Sequence, residues 1–148
     1  MCNAEDQISN VTKEEIFNDI CVLLAGQMAK TKIAGDEAMD SGAVSDLSQG
    51  SLQAYTAITN LGMDKKLGFV NLDAILSFDN YFLSKKIEKR FLIWMGEAQK
   101  RTKQIVDDKW GKIEQLALAL IEKEIAENKE IDEIMGEEKI SYKIPMTI

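Results

Sequence analysis

SKKIEKRFLIWMGEAQKRTKQIVD, residues 84–107, decides the fold. Ile87, Phe91, Trp94, Ala98, Thr102 and Ile105 recur at steps of four and three. That spacing draws one stripe along a helix, because side chains three and four apart share a face. Ile113, Leu116, Leu120 and Ile121 resume the pattern beyond Asp107, Asp108 and Gly111. Asp favours helix ends and Gly weakens helix interiors, so a break is expected there. The expectation is two helices, about 84–107 and about 109–127, packed antiparallel.

Upstream, Thr12-Lys13-Glu14-Glu15 reads as a capping box. The Thr hydroxyl meets an orphan backbone N–H, and a Glu three residues on reaches back. Ile16, Ile20, Leu23, Leu24 and Met28 follow at helical spacing and predict a helix over about 13–31. Residues 33–44 read as a loop. Ser45 or Asp46 is placed to cap a second helix, about 46–60, along which Leu47, Ser51, Tyr55, Ile58 and Thr59 recur. Gly62 is placed to end it. Residues 63–80 read as a surface-crossing loop held by a few side chains, with Phe69-Val70 and Ile75-Leu76 as its apolar groups. From 128 on, a short turn at Glu130–Met135 and a strand-like alternation over Ile140–Ile144 are expected. The fold class is all-α, a helical bundle, with residues 1–148 as one domain. The sole proline, Pro145, leaves the helices uninterrupted.

Composition excludes several functions. The net charge of −7 opposes non-specific nucleic-acid binding and docking on an anionic membrane surface. The longest strongly apolar run, Ile20–Gly26, is far short of the roughly 20 residues a membrane helix needs, so no direct membrane insertion is expected. No signal-peptide pattern opens the chain. Cys2 and Cys21 form no CxxC, so two free thiols in a reducing, cytoplasmic compartment are expected, with Cys21 a small buried hydrophobe. There is no histidine. That removes His-dependent nucleophilic triads and every imidazole zinc site. There is also no GxxxxGK[ST] phosphate loop. Asp107-Asp108 and Glu137-Glu138 are neighbours that point apart on a helix, so solvated surface is expected of them.

A family likeness rests on four motifs in order. Glu5-Asp6, Thr12–Glu15 and Ile20–Gly26 resemble an acidic pair, a TKxEL-like helix start and an IxVLLGGRAAE-like helix of FtsH-type ATP-dependent metalloproteases. Ser41–Leu47 is similar to that family's TGAxNDL motif, Leu61–Gly68 to its fGMSxxLG motif, and Leu116–Glu124 to its LAxxLLExE ending. The likeness covers roughly residues 5–135. It implies a helical zinc-peptidase fold, unfolded or membrane-protein substrates, ATP-driven feeding and a hexameric ring. In the family, an HExxH helix supplies two imidazole ligands and a Glu base, and the Asp of TGAxNDL supplies the third zinc ligand. That Asp matches Asp46, which on residue type alone reads rather as a plain N-cap and with the resemblance as a descendant of the zinc-ligand position, with no metal held by this chain.

Departures are as informative. HExxH is absent, the family's Arg and Glu of GGRAAE have become Gln27 and Lys30, and its Ala-Thr pair after the Asp has become Gly50-Ser51. Two readings follow. The chain is either the C-terminal part of an FtsH-like protease, inactive alone and without its own zinc or catalytic residues, or a degenerate stand-alone module for assembly or protein binding. An unrelated helical adaptor is the third alternative. Self-association, as a dimer or as the family's hexamer, is expected either way, because uncovered apolar faces favour burial against another chain. Phe91, Trp94 and Met95 are the candidate contacts, with filling of the interior between the two long helices as the alternative.

Overall fold

The structure, a computed structural model, describes residues 10–75, 81–123 and 143–148. Side-chain surroundings are described for 10–75, 83–116 and 143–148. The acidic pair Glu5-Asp6, the span 124–127 expected to end the last helix, the turn at Glu130–Met135 and most of the strand-like Ile140–Ile144 lie outside these residues. The described residues form four α-helices and no strand: α1 (Lys13–Ala34), α2 (Val44–Thr59), α3 (Tyr81–Asp108) and α4 (Trp110–Lys123). The chain is all-α, as its stripes predict.

α1 begins as its sequence dictates. The Thr12 side chain accepts from the Glu15 N–H at 3.2 Å, and the Glu15 carboxylate accepts from the Thr12 N–H at 2.7 Å. It ends at Gly35, whose φ of 80° suits a residue without a Cβ. The expected loop 33–44 is more ordered than its composition suggests. α1 runs on to Ala34, and two short 3₁₀ turns, Asp36–Ala38 and Ser41–Ala43, lead into α2.

Neither Ser45 nor Asp46 caps α2. The N-cap is Ala43, with no side-chain hydrogen bond, and Asp46 lies in the first helical turn. The reason is local: Asp40 bonds the Gly42 N–H at 2.9 Å and starts the preceding 3₁₀ turn, which passes directly into the helix. The buried side of α2 also differs from the expected stripe. Leu47 and Tyr55 are exposed, and the helix buries Gly50, Ala54, Ala57, Ile58 and Thr59. These small residues face α1 at ordinary contact distance. A Cβ placed on Gly50 would sit 3.8 Å from Leu23 and 3.9 Å from Ile20.

The core joins Ile16, Phe17, Ile20, Cys21 and Leu24 of α1 to Ala54, Ala57 and Ile58 of α2 and to Trp94, Met95 and Ala98 of α3. Burying an aliphatic or aromatic side chain of this kind contributes about 1.5–3 kcal/mol. Cys21 is buried as expected, its thiol directed at the Ala98 carbonyl at 3.7 Å. Thr102 donates to the Ala98 carbonyl at 2.7 Å, so its hydroxyl is satisfied within the core.

α2 runs antiparallel to α1: Lys30 near the end of α1 pairs with Asp40 just ahead of α2, and Gly50 in the middle of α2 faces Leu23 and Ile20. α3 runs alongside α1 in the same direction, with Lys13 over the Trp94 ring and Lys32 bonded to Asp107 at 2.5 Å. The break near Asp107–Gly111 is real but slight, one turn residue at Lys109. Hydrogen bonds run from Lys109 to Ile105 and from Ile113 to Lys109, both at 3.0 Å, so the helical ladder nearly continues. Such a joint cannot fold the chain back on itself. α4 therefore meets α3 at the joint, and the antiparallel packing of the bundle lies between α2 and its neighbours α1 and α3.

Trp94 and Met95 are 0% and 8% exposed and belong to the core. They fill an interior shared with α1 and α2, not one between the two long helices, and are not available as contacts between chains. Phe91 packs half-buried against the same core.

Candidate functional site

Two aspartates come from two of the motifs, and the fold treats them differently. Asp46 stands on the first turn of α2, exposed, with no ion pair among the described residues. It precedes Gly50 by four residues and so shares the side of α2 that faces α1. A carboxylate here has a fixed backbone and open surroundings.

Asp64 is the opposite. It lies in the turn after α2, and its side chain is fully buried. Oδ1 accepts from the Lys66 and Leu67 N–H groups, both at 2.9 Å. Arg90 Nε reaches both carboxylate oxygens, at 3.0 and 2.9 Å, and Trp94 Nε1 reaches Oδ2 at 2.8 Å. Burial alone pushes this carboxyl up. The N–H groups of Leu67, Trp94, Arg90 and Lys66 outweigh it and hold the group below the ordinary carboxylate range. Arg90 is itself buried and donates onward to the Thr147 carbonyl at 2.7 Å.

The turn that carries Asp64 is shaped by glycine. Gly62 has a φ of 61°, and a Cβ there would lie 3.1 Å from the Phe69 Cα. The segment after it is anchored by Met63, Asp64, Leu67 and Leu72, while Phe69 and Ile75 are exposed. A few side chains hold the loop, as expected, but they are not its named apolar groups: Val70 too is exposed, and Leu76 lies outside the described residues.

Sequence reasoning missed the Asp64–Arg90–Trp94 cluster. A signal was present. Arg90 falls three residues after Ile87 and four before Trp94, so a cation sits on the apolar face of α3. A charge in such a stripe asks for a buried partner.

Residues 1–134 match the sequence model of peptidase family M41. The chain belongs to that family. The M41 chain is 25% identical over 131 residues to the mitochondrial ATP-dependent zinc metalloprotease FTSH 10 of Arabidopsis thaliana. That match covers 86% of this chain and 16% of the plant protein. It is 26% identical to AFG3L2 of Mus musculus, a component of the mitochondrial inner membrane m-AAA protease, over 84% of this chain and 16% of the mouse protein. It is 28% identical to the ATP-dependent zinc metalloprotease FtsH 2 of Methylacidiphilum infernorum, over 89% of this chain and 22% of that protein. The M41 chain therefore spans about a fifth or less of the length of these relatives.

Zinc belongs to the names of two of these relatives, so the donor set of this M41 chain can be tested against it. The chain has no histidine, and among the described residues no three Cys, Asp or Glu side chains converge to hold an ion. Asp46 can supply one carboxylate. These residues do not fit zinc by themselves. Among the described residues, no helix is long and apolar enough to cross a membrane.

Proposed function

We propose that this chain is the C-terminal, helical part of an FtsH-like ATP-dependent zinc metallopeptidase, and that it is inactive by itself. The parent activity is proteolysis of unfolded or membrane proteins, in the cytoplasm or an equivalent compartment. The observation that supports the reading is Asp46. It matches the third-ligand position of the TGAxNDL motif, and it stands exposed on a rigid first turn within a chain that belongs to family M41. Two imidazoles and a Glu base would have to come from an HExxH helix, which this sequence does not contain. No catalytic residue is assigned within the chain.

The second reading is a non-catalytic module for assembly or protein binding. Gln27, Lys30 and Gly50-Ser51 favour it, and Lys30 has acquired a structural use, an ion pair with Asp40. Self-association as a dimer or hexamer fits both readings. It would have to use a face other than Trp94 and Met95, such as the exposed Val44, Leu47 and Leu52 of α2. Sedimentation at high micromolar concentration tests it.

Casein cleavage by the pure chain, with and without added Zn²⁺, tests the inactivity; chelator-sensitive cleavage would overturn it. The two readings separate when the chain is joined to an HExxH-bearing segment of an M41 relative. The protease reading expects zinc-dependent cleavage that Asp46→Ala abolishes. No cleavage by a folded fusion favours the module.

A further inference from the structure

α1 is apolar on more than its core side. Ile16, Phe17, Ile20, Cys21 and Leu24 belong to the core. On the opposite side Val22, Gly26, Ala29 and Ile33 follow one another at steps of four, three and four, a second stripe along the same helix. Val22 is 72% and Ile33 62% exposed, and a Cβ on Gly26 would meet nothing within 4 Å. α3 shows what a solvated face looks like: its outward positions include the exposed Lys89, Lys100 and Lys103. A helix that is apolar all round is normally buried all round. Single exposed aliphatic residues need no partner, but an aligned run along about three turns, roughly 16 Å of helix, asks for one.

The ends of the stripe are acidic. Asp19 lies three residues before Val22, and Asp36 and Glu37 follow Ile33; all three are exposed, and none has an ion pair among the described residues. The nearby cations Lys30 and Lys32 are taken by Asp40 and Asp107. We propose that this face of α1 docks one amphipathic helix of another polypeptide, with small and aliphatic side chains along one face and basic side chains in its end turns. Gly26 and Ala29 let such a helix come to the near end of the usual interaxial range, about 8 Å. Charge decides against the other occupants. A second copy docked through the same face sets acid against acid in either orientation. Within this chain, residues 1–9 hold no Lys or Arg, and residues 124–142 hold seven Asp and Glu against two Lys. Docking here does not depend on the protease reading.

The probe is a fluorescein-labelled peptide of about 18 residues, long enough to be helical in water, with leucine and alanine along one face and lysine in its end turns. Anisotropy with the full chain should show saturable binding. A twin peptide with glutamate in place of lysine should bind at least about tenfold more weakly. Gly26→Leu, at a position with open space, should keep the circular dichroism of the wild type and weaken the lysine peptide at least about fivefold, because it blocks the close approach. Val22→Lys, at an equally exposed site, should weaken it too. Absence of saturable binding would overturn the proposal, as would equal binding of the two peptides. Undiminished binding by both variants would reduce the face to an adhesive apolar patch and overturn it as well. A wild-type dimer that Val22→Lys disperses in sedimentation would make a second copy the occupant and overturn the choice of partner.

Discussion

Asp46 and Asp64 are the same side chain eighteen positions apart, one at each end of α2. The first is exposed on a helical turn, while the second is fully buried and takes four N–H donors. Burying a carboxylate is tolerable only when its charge is matched and its lone pairs are filled. Asp64 meets that condition through a backbone turn, an arginine and an indole from α3. It ties the end of α2 to the middle of α3, and through Arg90 to residue 147. Asp46 ties nothing. A carboxylate left open in this way is free to serve a ligand, and a saturated one is not. The contrast assigns architecture to one motif and leaves availability to the other.

The sharpest way to break the contrast is Asp64→Asn. It keeps the shape, removes the charge, and leaves Arg90 buried without its counter-ion. Loss of one partner of a buried pair costs about 3–5 kcal/mol, so the midpoint of urea unfolding should fall steeply. Acid should act through the same group. Its folded pKa is depressed, so its contribution is fully present above the unfolded value near 4 and is lost as pH falls below it. The stability of Asp64→Asn should therefore depend less on pH over that window than the wild type does. Asp107 is also depressed, to about 2, by hydrogen bonds from Lys103 and Lys32, but it is solvated and its effect is screened. Trp94→Phe is milder. It keeps most of the ring in the core and deletes the indole N–H, and it should cost about 1–2 kcal/mol by chemical denaturation.

At the Asp46 end the expected effects are smaller and one is favourable. Gly50→Ala should stabilise by about 0.5–1 kcal/mol, because a helical glycine is replaced where the new methyl finds ordinary contact distance. A lower midpoint would mean that α1 and α2 cannot accommodate even that methyl. Asp46→Asn should leave stability within about 0.5 kcal/mol, as expected for an exposed residue without partners among the described residues. A large loss would show that Asp46 is structural after all and would remove the contrast.

How legible was this in the sequence? Local signals were. Thr12 and Glu15 are three residues apart, and the capping box they spell is the one that forms. The stripes of α1 and α3 were legible because helical period alone selects their buried faces. α2 was not, because its large apolar residues Leu47, Leu52 and Tyr55 lie outward and the face it buries carries the small Gly50, Ala54 and Ala57. Nothing in a single helix reports how near its neighbour will come. The Asp64–Arg90 pair spans 26 residues. It is written only as a cation in the wrong stripe, a clue that names a need but not the partner. The position of Asp46 was legible as a motif, while its openness is a property of the packed bundle.

The placement of Cys21 turns the bundle into its own chemical clock. Its thiol is 6% exposed, points across the α1–α3 seam at Ala98, and is pushed by burial above its ordinary pKa. A thiol reagent needs an exposed thiolate, so the folded chain should react slowly. Each parting of α1 from α3 uncovers the sulfur for a moment. In a Cys2→Ser background, the labelling rate of Cys21 divided by that of a free thiol counts the fraction of time the seam stands open.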